Sequence, residues 1–150
     1  AAEAYNETGT DRQKAWDLLN SVRTRAEATS ITEANYDEMM SARKKTHNLT
    51  FIDDSTPEGK FRTALYWERG FELAFEGQRK YDLIRWGVLG KALKLFGEIS
   101  SVNQKENKPY PAYRNFTEGK HELFPIPLKE IQSNPKLNGM NNNGYKEDSQ

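Results

Sequence analysis

At 150 residues, with 22 basic and 22 acidic side chains, the chain is one domain or part of one, and its formal charge of zero gives no electrostatic case for nucleic acid or an acidic membrane surface. The absence of cysteine excludes disulfides, thiolate metal sites and cysteine nucleophiles. No apolar run approaches the roughly 20 residues that cross a bilayer, and no charged n-region with an apolar stretch follows residue 1, so this segment reads as neither a span nor a targeting signal.

Ala1, Ala2, Ala4 and Tyr5 read as the last turns of a helix without a capping residue before them, stopped by Gly9, so the chain is expected to be a fragment. Thr10 or Asp11 can cap a second helix in which Ala15, Leu18, Leu19, Val22 and Ala26 form one apolar face. The pair is similar to the end of a tetratricopeptide repeat, or to an ordinary helical hairpin. From Glu27 to Ser55 the pattern weakens. Thr32 can cap a helix to about Lys45, with Tyr36, Met39 and Met40 on one side, between stretches that read as loop.

Thr56-Pro57-Glu58 is a clean start signal: a cap, proline at the first helical position and an acid in the first turn. The central helix that follows places Glu68, Glu72 and Glu76 in one carboxylate stripe at i, i+4, i+8, with Ala64, Trp67, Phe71 and Ala74 on another face. Gly77 is expected to kink or end it, so that Gln78 to Trp86 begins a new segment. Local pairs predict a charge ladder: Arg69 with Glu72, Arg79 with Glu76 and Asp82, and Asp82 with Arg85. Glu68 has no cation within reach on its own helix and is expected to find Arg23 or Arg25.

Ala92, Leu93, Leu95 and Phe96 predict a short amphipathic helix ending at Gly97, and Ser100 to Gly119 reads as a long polar loop. Phe124-Pro125-Ile126-Pro127 must be extended, because each proline forbids helix to the residue before it. A helical turn over Leu128 to Ile131 follows, then an irregular tail rich in asparagine, anchored by Leu137 and Tyr145. Phe124 and Ile126 are expected to be buried against the Phe61 to Trp86 region.

Catalytic signatures are weak. Glycosidase carboxylates face each other across a cleft from different elements, whereas Glu68, Glu72 and Glu76 share one helix with arginines nearby. His47 and His121 are the only histidines, and His121-Glu122 lacks a second histidine four residues on. No glycine-rich phosphate loop is present. The expectation is a chain that performs no chemistry and holds no cofactor or metal.

Taken in order, Ala2-Glu3-Ala4-Tyr5-Asn6-Glu7, Leu19-Asn20-Ser21-Val22-Arg23-Thr24-Arg25-Ala26, Glu68-Arg69, Glu72-Leu73-Ala74-Phe75-Glu76-Gly77-Gln78-Arg79, Tyr81-Asp82-Leu83-Ile84-Arg85-Trp86-Gly87, Phe124-Pro125-Ile126-Pro127, Asn134-Pro135 and Gly144-Tyr145 resemble the C-terminal part of the SusD/RagB family. The resemblance covers residues 1 to 145. It implies an all-α, SusD-like fold: a tetratricopeptide-like hairpin, a central kinked helix and a Pro/Asn-rich tail, the whole forming the C-terminal portion of a larger domain. It further implies a surface-exposed outer-membrane lipoprotein of Bacteroidota that captures oligo- or polysaccharide, held by a lipid anchor outside this chain, with a TonB-dependent, SusC-like porin as partner. Gly70, where a large residue is common, and the long Ala28 to Asp54 connection depart from the pattern.

Two function classes follow, a carbohydrate-binding protein and a tetratricopeptide-like scaffold for protein segments. Exposed aromatics discriminate them. Tyr110, Tyr113 and Phe116, set among Asn107, Arg114 and Asn115, have a composition suited to sugar, although aromatics so placed also serve as loop anchors.

Overall fold

The structure, a computed structural model, describes residues 1–99 and 111–145. It is all-α, and the chain divides into two compact units, residues 1–83 and 84–150.

The first unit begins with a tight hairpin of α1 (Ala2–Thr8) and α2 (Arg12–Arg25). Gly9 ends α1 at φ +64°, a left-handed conformation that costs glycine nothing, and its N–H donates to the Asn6 carbonyl at 3.2 Å. Asp11 starts α2 by accepting the Lys14 N–H at 2.8 Å. The buried residues of α2 are Ala15, Trp16, Leu19 and Arg23, a face rotated from the predicted one: Leu18 and Val22 are half-buried and Ala26 is exposed. Trp16 and Arg23 cause the rotation, the first by its area and the second by having a buried partner. Trp16 meets Phe61 edge-on at 5.0 Å and 80°, in a core that also holds Ile31, Tyr36, Met40 and Ala64.

Ile31 lies in a stretch read from sequence as loop, yet it is 2% exposed. Asn20 fixes it by donating to its carbonyl at 2.8 Å and accepting its N–H at 2.9 Å. Thr32 and Asn35 then bond reciprocally, the Thr32 N–H to Asn35 Oδ1 at 2.7 Å and the Asn35 N–H to Thr32 Oγ1 at 3.3 Å, and α3 (Tyr36–Thr46) starts after this turn.

Tyr36 is fully buried and donates its hydroxyl to Asp54 Oδ2 at 2.7 Å. Lys44 bridges Asp54 at 2.8 Å and Asp37 at 3.3 Å, and Lys60 reaches Asp37 at 3.1 Å. Burial pushes the Asp54 carboxyl up, but hydrogen bonds from Lys44 and Tyr36 outweigh it and hold the group below its ordinary value. Asp37 is lowered by Lys60 and then Lys44, and Glu7 chiefly by its hydrogen bond from Arg62. Carboxyls depressed in the folded state lend stability that is complete above their unfolded values near ~4 and is lost as pH falls through the folded ones. The urea midpoint is therefore expected to hold from neutral pH to about 5 and to fall below about 4. Asp54→Asn should flatten that fall, and an unchanged slope would show that Asp54 does not contribute to it.

α4 (Pro57–Glu72) begins as its sequence dictates, with Thr56 Oγ1 accepting the Gly59 N–H at 3.1 Å and Pro57 in the first turn. It ends at Glu72, short of Gly77. Residues 73–78 form a turn, with Phe75 at φ +66° and Gly77 at φ +73°, before α5 (Arg79–Arg85). The central element is thus two helices joined by a turn.

In the second unit, α6 (Leu89–Ile99) runs past the expected stop at Gly97 and packs against α7 (Pro111–Arg114). α8 (Leu128–Ser133) and a 3-10 turn (Pro135–Leu137) follow, and Val88, Leu89, Ala92 and Ile131 are buried. Among the described residues the Phe124-Pro125-Ile126-Pro127 segment joins no strand. Asparagine side chains take the place of a neighbouring backbone: Asn141 accepts the Ile126 N–H at 2.8 Å and donates to its carbonyl at 3.5 Å, and Asn142 donates to the Phe124 carbonyl at 2.7 Å. The Tyr145 hydroxyl donates to the Leu123 carbonyl at 3.0 Å. Phe124 itself is 65% exposed, contrary to the expected burial, while Ile126 is half-buried. Prolines on both sides of Ile126 leave its N–H as the local donor, and Asn141 takes it. Asn141→Ala should cost about 1–2 kcal/mol by leaving that N–H without its acceptor. Hydrogen exchange at the Ile126 amide is the readout, and unchanged protection would contradict the assignment.

Candidate functional site

The charged side chains around α4 and α5 reach across the fold rather than along one helix. Glu68 pairs with Arg23 of α2 at 2.5 Å, with side chains only 13% and 8% exposed, and Arg23 Nε also donates to the Thr29 carbonyl at 2.8 Å. One turn further on, Glu72 pairs with Arg25. Arg69 donates to buried Asp82 at 2.8 Å, linking α4 to α5 over the turn. Arg79 donates to the Tyr66 carbonyl at 2.9 Å and lies 3.9 Å above the Tyr66 ring. Its guanidinium passes over Gly70, where a β-carbon would sit 3.4 Å from Arg79 Cζ and a longer side chain would displace it. Arg85 stacks on Trp86 at 5.1 Å.

Two predicted rungs are corrected. Glu76 is outside the helix because α4 stops a turn early, so it lies exposed in the turn while Arg79 goes to Tyr66. Glu72 goes to Arg25 and Arg69 to Asp82, because partners on other elements lie closer than the local i+3 neighbour. Glu68 and Glu72 are each engaged by an arginine of α2, the state of side chains that hold two helices together.

Of the loop aromatics, Tyr110 lies outside the described residues. Tyr113, in α7, is 40% exposed. Phe116 is half-buried on Gly90 of α6, so close that a β-carbon there would be 2.8 Å from its Cε1, and it tilts against His121 at 6.0 Å. The Phe116 ring is an anchor for its loop. Among the described residues, Tyr113 contributes an open ring.

A second aromatic group escaped the sequence reading. Trp67 and Phe71 of α4 stack at 6.1 Å and 20°, His47 meets Trp67 edge-on at 5.9 Å, and Arg43 lies 4.6 Å from the Phe71 centroid. The helical spacing of Trp67 and Phe71 was visible, but Arg43 and His47 come from the weakly patterned stretch before α4. Among the described residues no group of three His, Asp or Glu side chains is placed to hold a metal ion, and no helix is long and apolar enough to cross a membrane.

Residues 1–145 match the SusD family, the whole stretch that holds the charge network and the asparagine-clamped tail. The chain belongs to that family. It is similar to SusD-like protein P25 of Formosa agariphila, with 35% identity over 148 residues that cover 97% of this chain and 23% of that protein. SusD-like protein P2 of the same organism is 32% identical over 145 residues, again 97% of this chain and 23% of the relative. The chain thus spans about a quarter of the length of these SusD-like relatives. No solved structure gives a significant match. For this SusD-family chain, the pairs Arg23–Glu68, Arg25–Glu72 and Arg69–Asp82 fix how α2, α4 and α5 meet.

Proposed function

We propose that this chain belongs to a non-catalytic glycan-binding protein of nutrient uptake, lipid-anchored at the outer-membrane surface, which passes oligo- or polysaccharide to a TonB-dependent, SusC-like porin. The observation that supports this reading is the family match over residues 1–145. The engagement of Glu68 and Glu72 by arginines fits a role without chemistry, since neither is left as a member of a carboxylate pair facing a cleft. Tyr113 is retained as a candidate sugar contact, with Tyr110 and Phe116 beside it in sequence.

A glycan array probed with the protein as the cell makes it tests the reading. Selective binding to a set of related glycans is expected. Binding to no glycan, with retention of a porin or other protein partner, would favour the tetratricopeptide-like scaffold suggested by the α1–α2 hairpin.

A further inference from the structure

The tail carries asparagine at positions 134, 138, 141, 142 and 143, and two of these precede glycine, in Asn138-Gly139 and Asn143-Gly144. Most have engaged side chains. Asn134 accepts the Lys136 N–H and donates to Glu130 Oε1, both at 3.1 Å. Asn141 and Asn142 bond the backbone of Ile126 and Phe124, and Asn143 Nδ2 donates to the Gly119 carbonyl at 3.3 Å. Asn138 differs: it is exposed, and its side chain has no hydrogen-bond partner among the described residues.

The two glycines differ in the same sense. A β-carbon at Gly144 would lie 3.0 Å from Lys120 Cδ, so the chain there is packed, whereas one at Gly139 would meet nothing within 4 Å. Asn138 at φ +49° and Gly139 at φ +76° form an exposed turn, closed by the Met140 N–H donating to the Leu137 carbonyl at 2.8 Å. A carboxamide without a partner thus stands next to the least shielded kind of backbone nitrogen, in open solvent.

We propose that Asn138-Gly139 is a self-modification site, at which the asparagine carboxamide is converted to a carboxylate through a cyclic imide, with water as co-reactant. Opening of the turn lets the Asn138 ψ rotate from 37° and brings the Gly139 nitrogen onto Asn138 Cγ. That nitrogen gives its proton to hydroxide and attacks. The N–Cγ bond forms and the Cγ–Nδ2 bond breaks, and ammonia leaves with the electron pair of the broken bond and a proton from water. Water then opens the five-membered imide at either carbonyl. Cleavage of the new N–Cγ bond gives aspartate. Cleavage of the original peptide bond gives isoaspartate, with the chain running through Cβ and Cγ. Nothing is oxidised or reduced: asparagine and water become aspartate and ammonia. The product adds one negative charge at neutral pH to a chain whose formal charge is zero, and the isoaspartyl form lengthens the backbone inside the Leu137–Met140 turn.

The test is peptide mapping by mass spectrometry after the protein as the cell makes it has been held in warm, mildly alkaline buffer. Replacement of the amide NH2 by OH raises the mass by about 1 Da, and fragmentation assigns the change to one asparagine. Asn138 is expected to convert about 5-fold faster than Asn143, whose carboxamide must first give up a hydrogen bond worth about 1 kcal/mol. In urea, where that bond and the Lys120 contact are gone, the two rates should converge. Conversion at Asn143 as fast as at Asn138 in the folded protein, or none at Asn138, would overturn the assignment. The same preference persisting in urea would overturn its structural basis. Gly139→Ala, which shields the attacking nitrogen, should slow Asn138 by about 10-fold, equivalent to about 1.4 kcal/mol in the barrier, and an unchanged rate would rule out attack by that nitrogen. The comparison of Asn138 with Asn143 needs no variant, so it stands even where Gly139→Ala disturbs the turn.

Discussion

Replacing Arg23 by alanine is expected to destabilise the first unit by about 3–5 kcal/mol, because it leaves the Glu68 carboxylate in a nearly dry site without its cation. Arg23 cannot be compensated locally: the residues three and four positions from Glu68 are Ala64, Leu65, Phe71 and Glu72. Arg23 also donates to the Thr29 carbonyl, so the same change frees the chain entering the Ile31 anchor. Arg23→Met with Glu68→Leu should recover much of the loss, since a buried pair replaced as a whole by apolar groups is often neutral. Urea midpoints of the two single variants and the double variant give the coupling. Simple additivity would show that the pair does not act as one unit.

Gly59→Ala is expected to be as damaging, for a steric reason. A β-carbon at residue 59 would lie 1.6 Å from the Asp53 carbonyl oxygen and 2.7 Å from its carbon, which are backbone atoms that cannot swing away. Either α4 must shift or the loop before it must, and the loss should exceed about 3 kcal/mol, beyond ordinary overpacking. Gly9→Ala is the control. Gly9 sits at φ +64° with nothing near its would-be β-carbon, so only the left-handed penalty of about 1–2 kcal/mol applies. Equal thermal shifts for the two variants would mean that the Asp53 loop yields.

Helix starts and stops were legible wherever a residue acts within four positions of itself. Thr56-Pro57, Asp11 and Gly9 do so, and each sits where the sequence put it. The apolar face of α2 was only half legible, because periodicity treats Leu18 and Trp16 alike until Phe61 is brought against one of them. Ile31 was hidden in a polar stretch, since its burial depends on an asparagine eleven residues earlier. The end of α4 was misplaced because Gly77 looked like the stop, whereas the helix is broken first by a turn in which Phe75 adopts a positive φ. In the candidate site, the helical spacing of Trp67 and Phe71 could be read, but not the arrival of Arg43 from another helix. Phe116 reads from its neighbours in sequence as a sugar contact or a loop anchor, and its packing on Gly90 of α6 is a contact that sequence spacing does not place.

The most direct measurement on glycan capture without chemistry is calorimetric titration of the protein, as the cell makes it, with a glycan selected on the array, followed by size analysis of the sugar. Saturable binding with the glycan recovered at full length is the predicted result. No binding to any glycan, or recovery of shortened chains, would contradict it.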